Sequence, residues 1–154
     1  MQESSSLNQV AEFHTTFQHP IQPEPIIPAK QRANLRVSLL AEELKELQEA
    51  IDNDDLIEVA EALCDLQYVL AGAILEFGMG RKFKDLFDEV HRSNMSKACK
   101  TVEEAEKTIQ FYLAKDGTEA YYKEIDGLFL VFRKADDKTL KSVNYSPADI
   151  QGFL

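Results

Sequence analysis

Five carboxylates occur at spacings that could do chemistry: Glu43 and Glu46 in one segment, and Glu58, Glu61 and Asp65 in the next. At about 100° per residue on a helical wheel, Leu40, Leu44, Leu47 and Ile51 form the apolar stripe of the first segment. Glu42 and Glu49 fall well away from that stripe and read as solvated. Glu43 lies between Leu47 on one side and Leu39 and Ala50 on the other, with Glu46 three residues on. Arg36 and Arg32 precede Glu43 by seven and eleven residues and share its line if the helix reaches that far. The second segment is apolar over most of its circumference: Leu56, Val59, Leu63, Leu66, Leu70, Ile74 and Phe77 on one face, Ile57, Cys64, Tyr68 and Leu75 on another. That pattern predicts a helix buried between neighbours. Its exception is a narrow line of Glu58, Glu61, Ala62, Asp65, Gly72 and Glu76. Buried carboxylates must be neutralised, paired or bound to a cation. Inward basic residues are too few to pair them all, and carboxylate oxygens suit Mg²⁺ or Mn²⁺. A di-iron bundle would need Glu-x-x-His; the nearest pattern is Asp88-x-x-His91, on another helix. Zinc is disfavoured because no Cys/His cluster is spaced for it.

The elements that must carry these residues are mostly helices. Residues 5–18 read as a short helix. Pro20, Pro23, Pro25 and Pro28 then exclude helix and predict an extended connector. Long helices follow over about 29–51 and 56–77, joined at Asn53-Asp54-Asp55, a turn and N-cap signal. Gly78 and Gly80 end the second. A third covers about 81–98 and carries Asn94 and Lys97 three apart, on the line of Phe83, Phe87 and Val90. Thr101-x-x-Glu104 is a capping-box pattern for a helix to about Ala114. Residues 119–125 and 128–134, with Asp126-Gly127 between them, predict a β-hairpin. The expected fold is mainly α, an antiparallel helix bundle with a small β-hairpin appendage: a helical core over 1–100, a helix and hairpin over 101–135, and a tail over 136–154 packing on the core.

Composition limits the alternatives. A 154-residue chain with a 44% hydrophobic fraction supports one core with an appendage. No apolar run reaches the roughly 20 residues of a membrane span, and no signal peptide is visible. The net charge of -10 argues against broad nucleic-acid binding, which needs clustered Lys and Arg. Cys64 lies in an apolar helical pattern and is expected as a small buried hydrophobe; the cysteine usage fits a reducing cytoplasm.

The stretch Glu42-Glu43-Leu44-Lys45-Glu46, followed after a short turn by an acidic helix, resembles the all-α NTP pyrophosphatase superfamily, which includes MazG-like proteins, dimeric dUTPases and phosphoribosyl-ATP pyrophosphohydrolases. LRVSLLAEELKELQEAI (35–51), EVAEALCDLQYVLAGAILEFG (58–78) and EVHRSNMSKA (89–98) look like three core blocks of one MazG-like subgroup, and LKSVNYSPADI (140–150) like its ending. The signature there is E-E-x-x-E, a spacer, then E-x-x-D. This chain departs from it: Glu58-x-x-Glu61 ends in Glu, and Asp65 is preceded at i-3 by Ala62. Glu61 and Asp65 are therefore read as the working pair, with Glu58 supporting. Residues 101–135 look like an insertion.

The resemblance implies a Mg²⁺-dependent pyrophosphohydrolase (Mn²⁺ as substitute). Glu43 and Glu46 would be catalytic, all five carboxylates would hold metal, and a metal-activated water with one glutamate as general base would release nucleoside monophosphate and pyrophosphate. Asn94 and Lys97 would contact phosphate or ribose. Arg36 would clamp a phosphate or pair with Glu43. The resemblance also implies a homodimer or a dimer of dimers; charge and hydropathy give the expectation of no nucleic-acid and no membrane partner. An enzyme selective for dUTP or a modified nucleotide is a narrower version. A non-catalytic helical module binding a cation or a basic partner is the alternative from another class. His14 and His19 read as structural or exposed, His91 as surface, and Tyr121, Tyr122, Phe129 and Phe132 as packing.

Overall fold

A computed structural model describes residues 5–154. The chain is mainly α and separates into two compact units, one up to Phe83 and one over Lys84–Leu154. The division falls at the start of the third long helix, whereas composition places the change of character beyond residue 100.

The first unit contains α1 (Ser6–Thr16), α2 (Lys30–Asp52) and α3 (Leu56–Glu76). Asp55 starts α3 as its cap: its carboxylate accepts from Ile57 N–H at 3.0 Å and Glu58 N–H at 3.2 Å. The turn before it needs Asp54 in the left-handed region, at φ 53°, a conformation Asp tolerates. With three residues between them, α2 and α3 run antiparallel and pack along each other, and α1 packs on α3. The core of this unit is Val10, Ala71 and Leu75, with Leu7 and Ala11 against it. The prolines keep residues 18–29 out of regular structure. This strap is pinned over the end of α3 by Gln22 N–H to Leu75 O and Ile26 N–H to Phe77 O, both 3.0 Å. Gly78 permits the close approach. It sits at φ +71°, and a Cβ there would lie 1.8 Å from the Glu24 carbonyl oxygen.

The expectation that α3 is buried nearly all round holds only for its C-terminal half, where Ala71, Gly72, Ile74, Leu75 and Glu76 are buried. Leu56 and Ile57 are each 79% exposed, and Leu63 and Cys64 are exposed as well. Two helices flanking a third cannot enclose its whole circumference.

The second unit contains α4 (Phe83–Met95) from its second residue on, α5 (Val102–Asp116) and an antiparallel hairpin, β1 (Ala120–Ile125) and β2 (Leu128–Arg133), in register from Ala120↔Arg133 to Ile125↔Leu128. Thr101 caps α5 by accepting from Glu104 N–H at 3.2 Å, and Gly117 ends it at φ 73°. The core here is Cys99, Ala105, Ala120, Val131 and Leu140. The hairpin rings pair across the strands, Tyr121 with Phe132 and Tyr122 with Phe129, as packing residues do. Among the described residues no helix is long and apolar enough to cross a membrane.

Candidate active site

Antiparallel packing brings the middle of α2 alongside the first half of α3. Glu43 is half-buried on α2, with Glu46 exposed one turn on; Asp65 is half-buried on α3. Partial desolvation, then the negative charges of Glu46, Asp65 and Glu42, hold the Glu43 carboxyl above the usual carboxylate range. Glu43, Glu46 and Asp65 therefore form one electrostatic neighbourhood, and no basic side chain figures among the influences on Glu43. Glu58 and Glu61 lie on the same helix as Asp65, one to two turns earlier, and are exposed. The surroundings of Glu61 are more open than expected: Ala62 beside it is buried, but Leu63 and Cys64 are exposed.

The donors are oxygen atoms of carboxylates on two helices, which is the chemistry a hard divalent cation takes. Among the described residues no group of three or more His, Cys, Asp or Glu side chains is gathered to hold a metal ion. Mg²⁺ is bound through one or two carboxylates together with waters and substrate phosphates, so a closed protein cage is not required.

Arg36 resolves differently from the expectation that it pairs with Glu43. It is buried and pairs with Glu76, one of the acids on the α3 line. Arg32 joins the same carboxylate, with Nε donating to Oε2 at 3.2 Å. Glu76 is 1% exposed. Burial acts to raise its pKa, but the hydrogen bonds from Arg32 and Arg36 outweigh it and hold the carboxyl below the usual range. His14 completes the cluster: its Nδ1 donates to the Pro20 carbonyl at 2.9 Å, leaving Nε2 to accept from Arg36 Nη2 at 3.2 Å. That is a neutral imidazole, and burial, the larger influence, keeps its pKa low. One donor, Arg36 Nε, is buried without a hydrogen-bond partner among the described residues. Leaving such a donor unmade costs about 1–3 kcal/mol. Gly72 makes room for the cluster, since a Cβ there would lie 2.8 Å from Arg36 Nη1. The helical wheel put Arg32 and Arg36 on the Glu43 line and Glu76 on the acidic line of α3; the structure pairs both arginines with Glu76, where Glu43 or a phosphate was expected for Arg36.

Beside this cluster is a cavity of about 230 Å³, walled by α1, α2 and α3. Phe13 meets Tyr68 edge-on at 5.6 Å and stacks with His19 at 5.7 Å. Its signal in the sequence was the aromatic spacing of residues 13–19, which also suits simple packing. His14 is structural and His19 exposed, as expected.

In the second unit α4 ends at Met95, so Lys97 lies beyond the helix and not on it with Asn94. Asn94 is exposed, and the line it was to continue turns outward, with Phe87 and Val90 also exposed. Lys97 Nζ donates to Asn94 Oδ1 at 2.7 Å, bridging the helix end. The tail packs on α4: Tyr145 Oη meets Ser93 Oγ at 2.8 Å, and Asp149 N–H donates to Glu89 Oε1 at 2.8 Å. The hydrogen bond from Arg92, then that from Asp149, lower the Glu89 pKa to about 2. His91 is exposed.

A family model described as "Phosphoribosyl-ATP pyrophosphohydrolase" matches residues 10–94. The match contains all five carboxylates, Arg36 and Asn94, and stops short of Lys97 and the hairpin. An uncharacterized protein of Acanthamoeba polyphaga mimivirus is 28% identical over 100 residues, which cover 62% of this chain and 40% of that protein.

Proposed function

This chain belongs to the phosphoribosyl-ATP pyrophosphohydrolase family, and from that premise we propose that it is a Mg²⁺-dependent nucleoside triphosphate pyrophosphohydrolase. It splits an NTP or dNTP with water into the monophosphate and pyrophosphate, as a nucleotide-pool housecleaning enzyme of the cytoplasm. The observation that carries this reading is the coupling of Glu43, Glu46 and Asp65 across α2 and α3, inside the matched segment.

Glu43 feels the negative charges of Glu46, Asp65 and Glu42, and Lys45, the basic side chain beside Glu46, is bridged to Glu49; the group favours a cationic partner. Glu46, Asp65, Glu61 and Glu58 would hold the cation, which when bound supplies positive charge to the triphosphate and acidifies a water. Glu43, its carboxyl held above the usual range by partial desolvation and the neighbouring acids, would accept the proton of the attacking water. Arg36, spent on Glu76 and His14, positions the α2–α3 pair and leaves phosphate clamping to others.

Val37 and Leu44 on α2 and Leu56 and Ile57 on α3 are apolar side chains left exposed, which a partner surface would cover. A second copy covering them makes a homodimer, or a dimer of dimers, and light scattering on the eluting protein measures it directly. The catalytic test is pyrophosphate release across NTPs and dNTPs with Mg²⁺ or Mn²⁺, in wild type and Glu43→Gln. Loss of a positioned general base lowers kcat by at least about 100-fold. No release from any nucleotide, or an unimpaired variant, overturns the proposal.

A further inference from the structure

The cavity bounded by α1, α2 and α3 contains features that packing does not require. Arg36 is buried, and its Nε–H has no acceptor among the described residues although the residue lines the cavity. Arg32 and Arg36 share the single carboxylate of Glu76, and His14 is held neutral. The cluster is one positive charge in excess, so it prefers an acceptor to a donor. Phe13, His19 and Tyr68 add aromatic faces and edges to the same wall. A volume of about 230 Å³ falls below the roughly 300–1,000 Å³ of pockets that take whole drug-sized ligands. It suits one ring system.

Position gives the ring a context. Leu39 and Arg36 precede Glu43 on α2 by four and seven residues, about 6 and 10 Å along the axis. Tyr68 follows Asp65 on α3 by three residues, about 4.5 Å. The cavity therefore continues the carboxylate line on the same two helices, at the distance a sugar would place between a triphosphate and its base. We infer that this cavity receives the heteroaromatic base of the substrate, packed against the perpendicular rings of Phe13 and Tyr68, with a ring carbonyl accepting from Arg36. The placement of the triphosphate rests on the hydrolase reading above; the pocket itself does not.

The test uses the full chain and nucleosides, which carry no phosphate and need no metal. Saturation-transfer NMR is recorded with uridine, cytidine, guanosine and adenosine, and separately with inorganic phosphate by protein chemical shifts. At least one carbonyl-bearing nucleoside is expected to bind through its base protons, and adenosine at least about tenfold more weakly than it, for want of the carbonyl. Phe13→Leu removes a stacking face and Leu39→Trp fills the cavity. Each weakens binding at least about tenfold, with folding checked by circular dichroism; Tyr68→Leu replaces either variant that does not fold. No nucleoside binding, binding indifferent to these variants, adenosine equal to the others, or a response to phosphate alone overturns the inference. Pyrophosphate release without nucleoside binding rejects the pocket and leaves the hydrolase standing. Nucleoside binding without release from any NTP does the reverse.

Discussion

Replacing Glu76 by Gln tests the charge cluster that joins α2 to α3. The substitution keeps the side chain's size and removes its charge. Glu76 is 1% exposed and the Arg36 side chain 8%, so Arg36 is left as a buried cation facing a neutral amide. Breaking a buried pair from one side costs about 3–5 kcal/mol. The Arg32 side chain is 32% exposed and can rehydrate, which places the expected loss near the lower end, about 3 kcal/mol. Against a total stability of roughly 5–15 kcal/mol, that is a substantial share. For a chain of this size it corresponds to a fall in Tm of roughly 6–12 °C. Thermal and urea unfolding followed by circular dichroism measure it. The double variant Arg36→Met with Glu76→Leu removes both members and should recover most of the loss, because apolar replacement of a buried pair is near neutral. A Glu76→Gln loss below about 1 kcal/mol would mean that the pair is hydrated in solution, and the argument would be refuted.

Burial depresses the His14 pKa below its ordinary 6.5. The unfolded chain therefore binds the proton more readily, and stability rises with pH through that window. The His14 contribution is complete above pH 6.5 and is lost as pH falls through the folded value; urea midpoints between pH 7 and 5 should decline in wild type and flatten in His14→Gln. Gly78→Ala places a Cβ 1.8 Å from the Glu24 carbonyl and should lower Tm far more than Gly127→Ala. The latter is also at positive φ but has open space around it and costs about 1 kcal/mol. Cys99 is fully buried, so iodoacetamide should label at most Cys64 in the native protein and reach Cys99 only in denaturant, as read by peptide mass spectrometry.

The sequence by itself determined the helices, their order and the hairpin. These are local properties: α3 begins where Asp55 can cap it, α5 where Thr101 can, and Asp126-Gly127 turns the hairpin. It also determined that Glu43 and Asp65 approach each other, because a three-residue turn between long amphipathic helices forces antiparallel packing. Tertiary structure alone decided which face of α3 is covered. A wheel assigns apolar faces but does not count neighbours, and Leu56, Ile57 and Cys64 stay exposed beside two partner helices. It likewise decided that Arg36 pairs with Glu76. Both Glu43 and Glu76 lie on lines that the wheel makes available to Arg36, and only the antiparallel register, with the strap and α1 closing over the end of α3, brings Glu76 within reach. The carboxylates of the candidate active site follow from sequence pattern; the cavity beside them exists only because α1 returns to pack on α3.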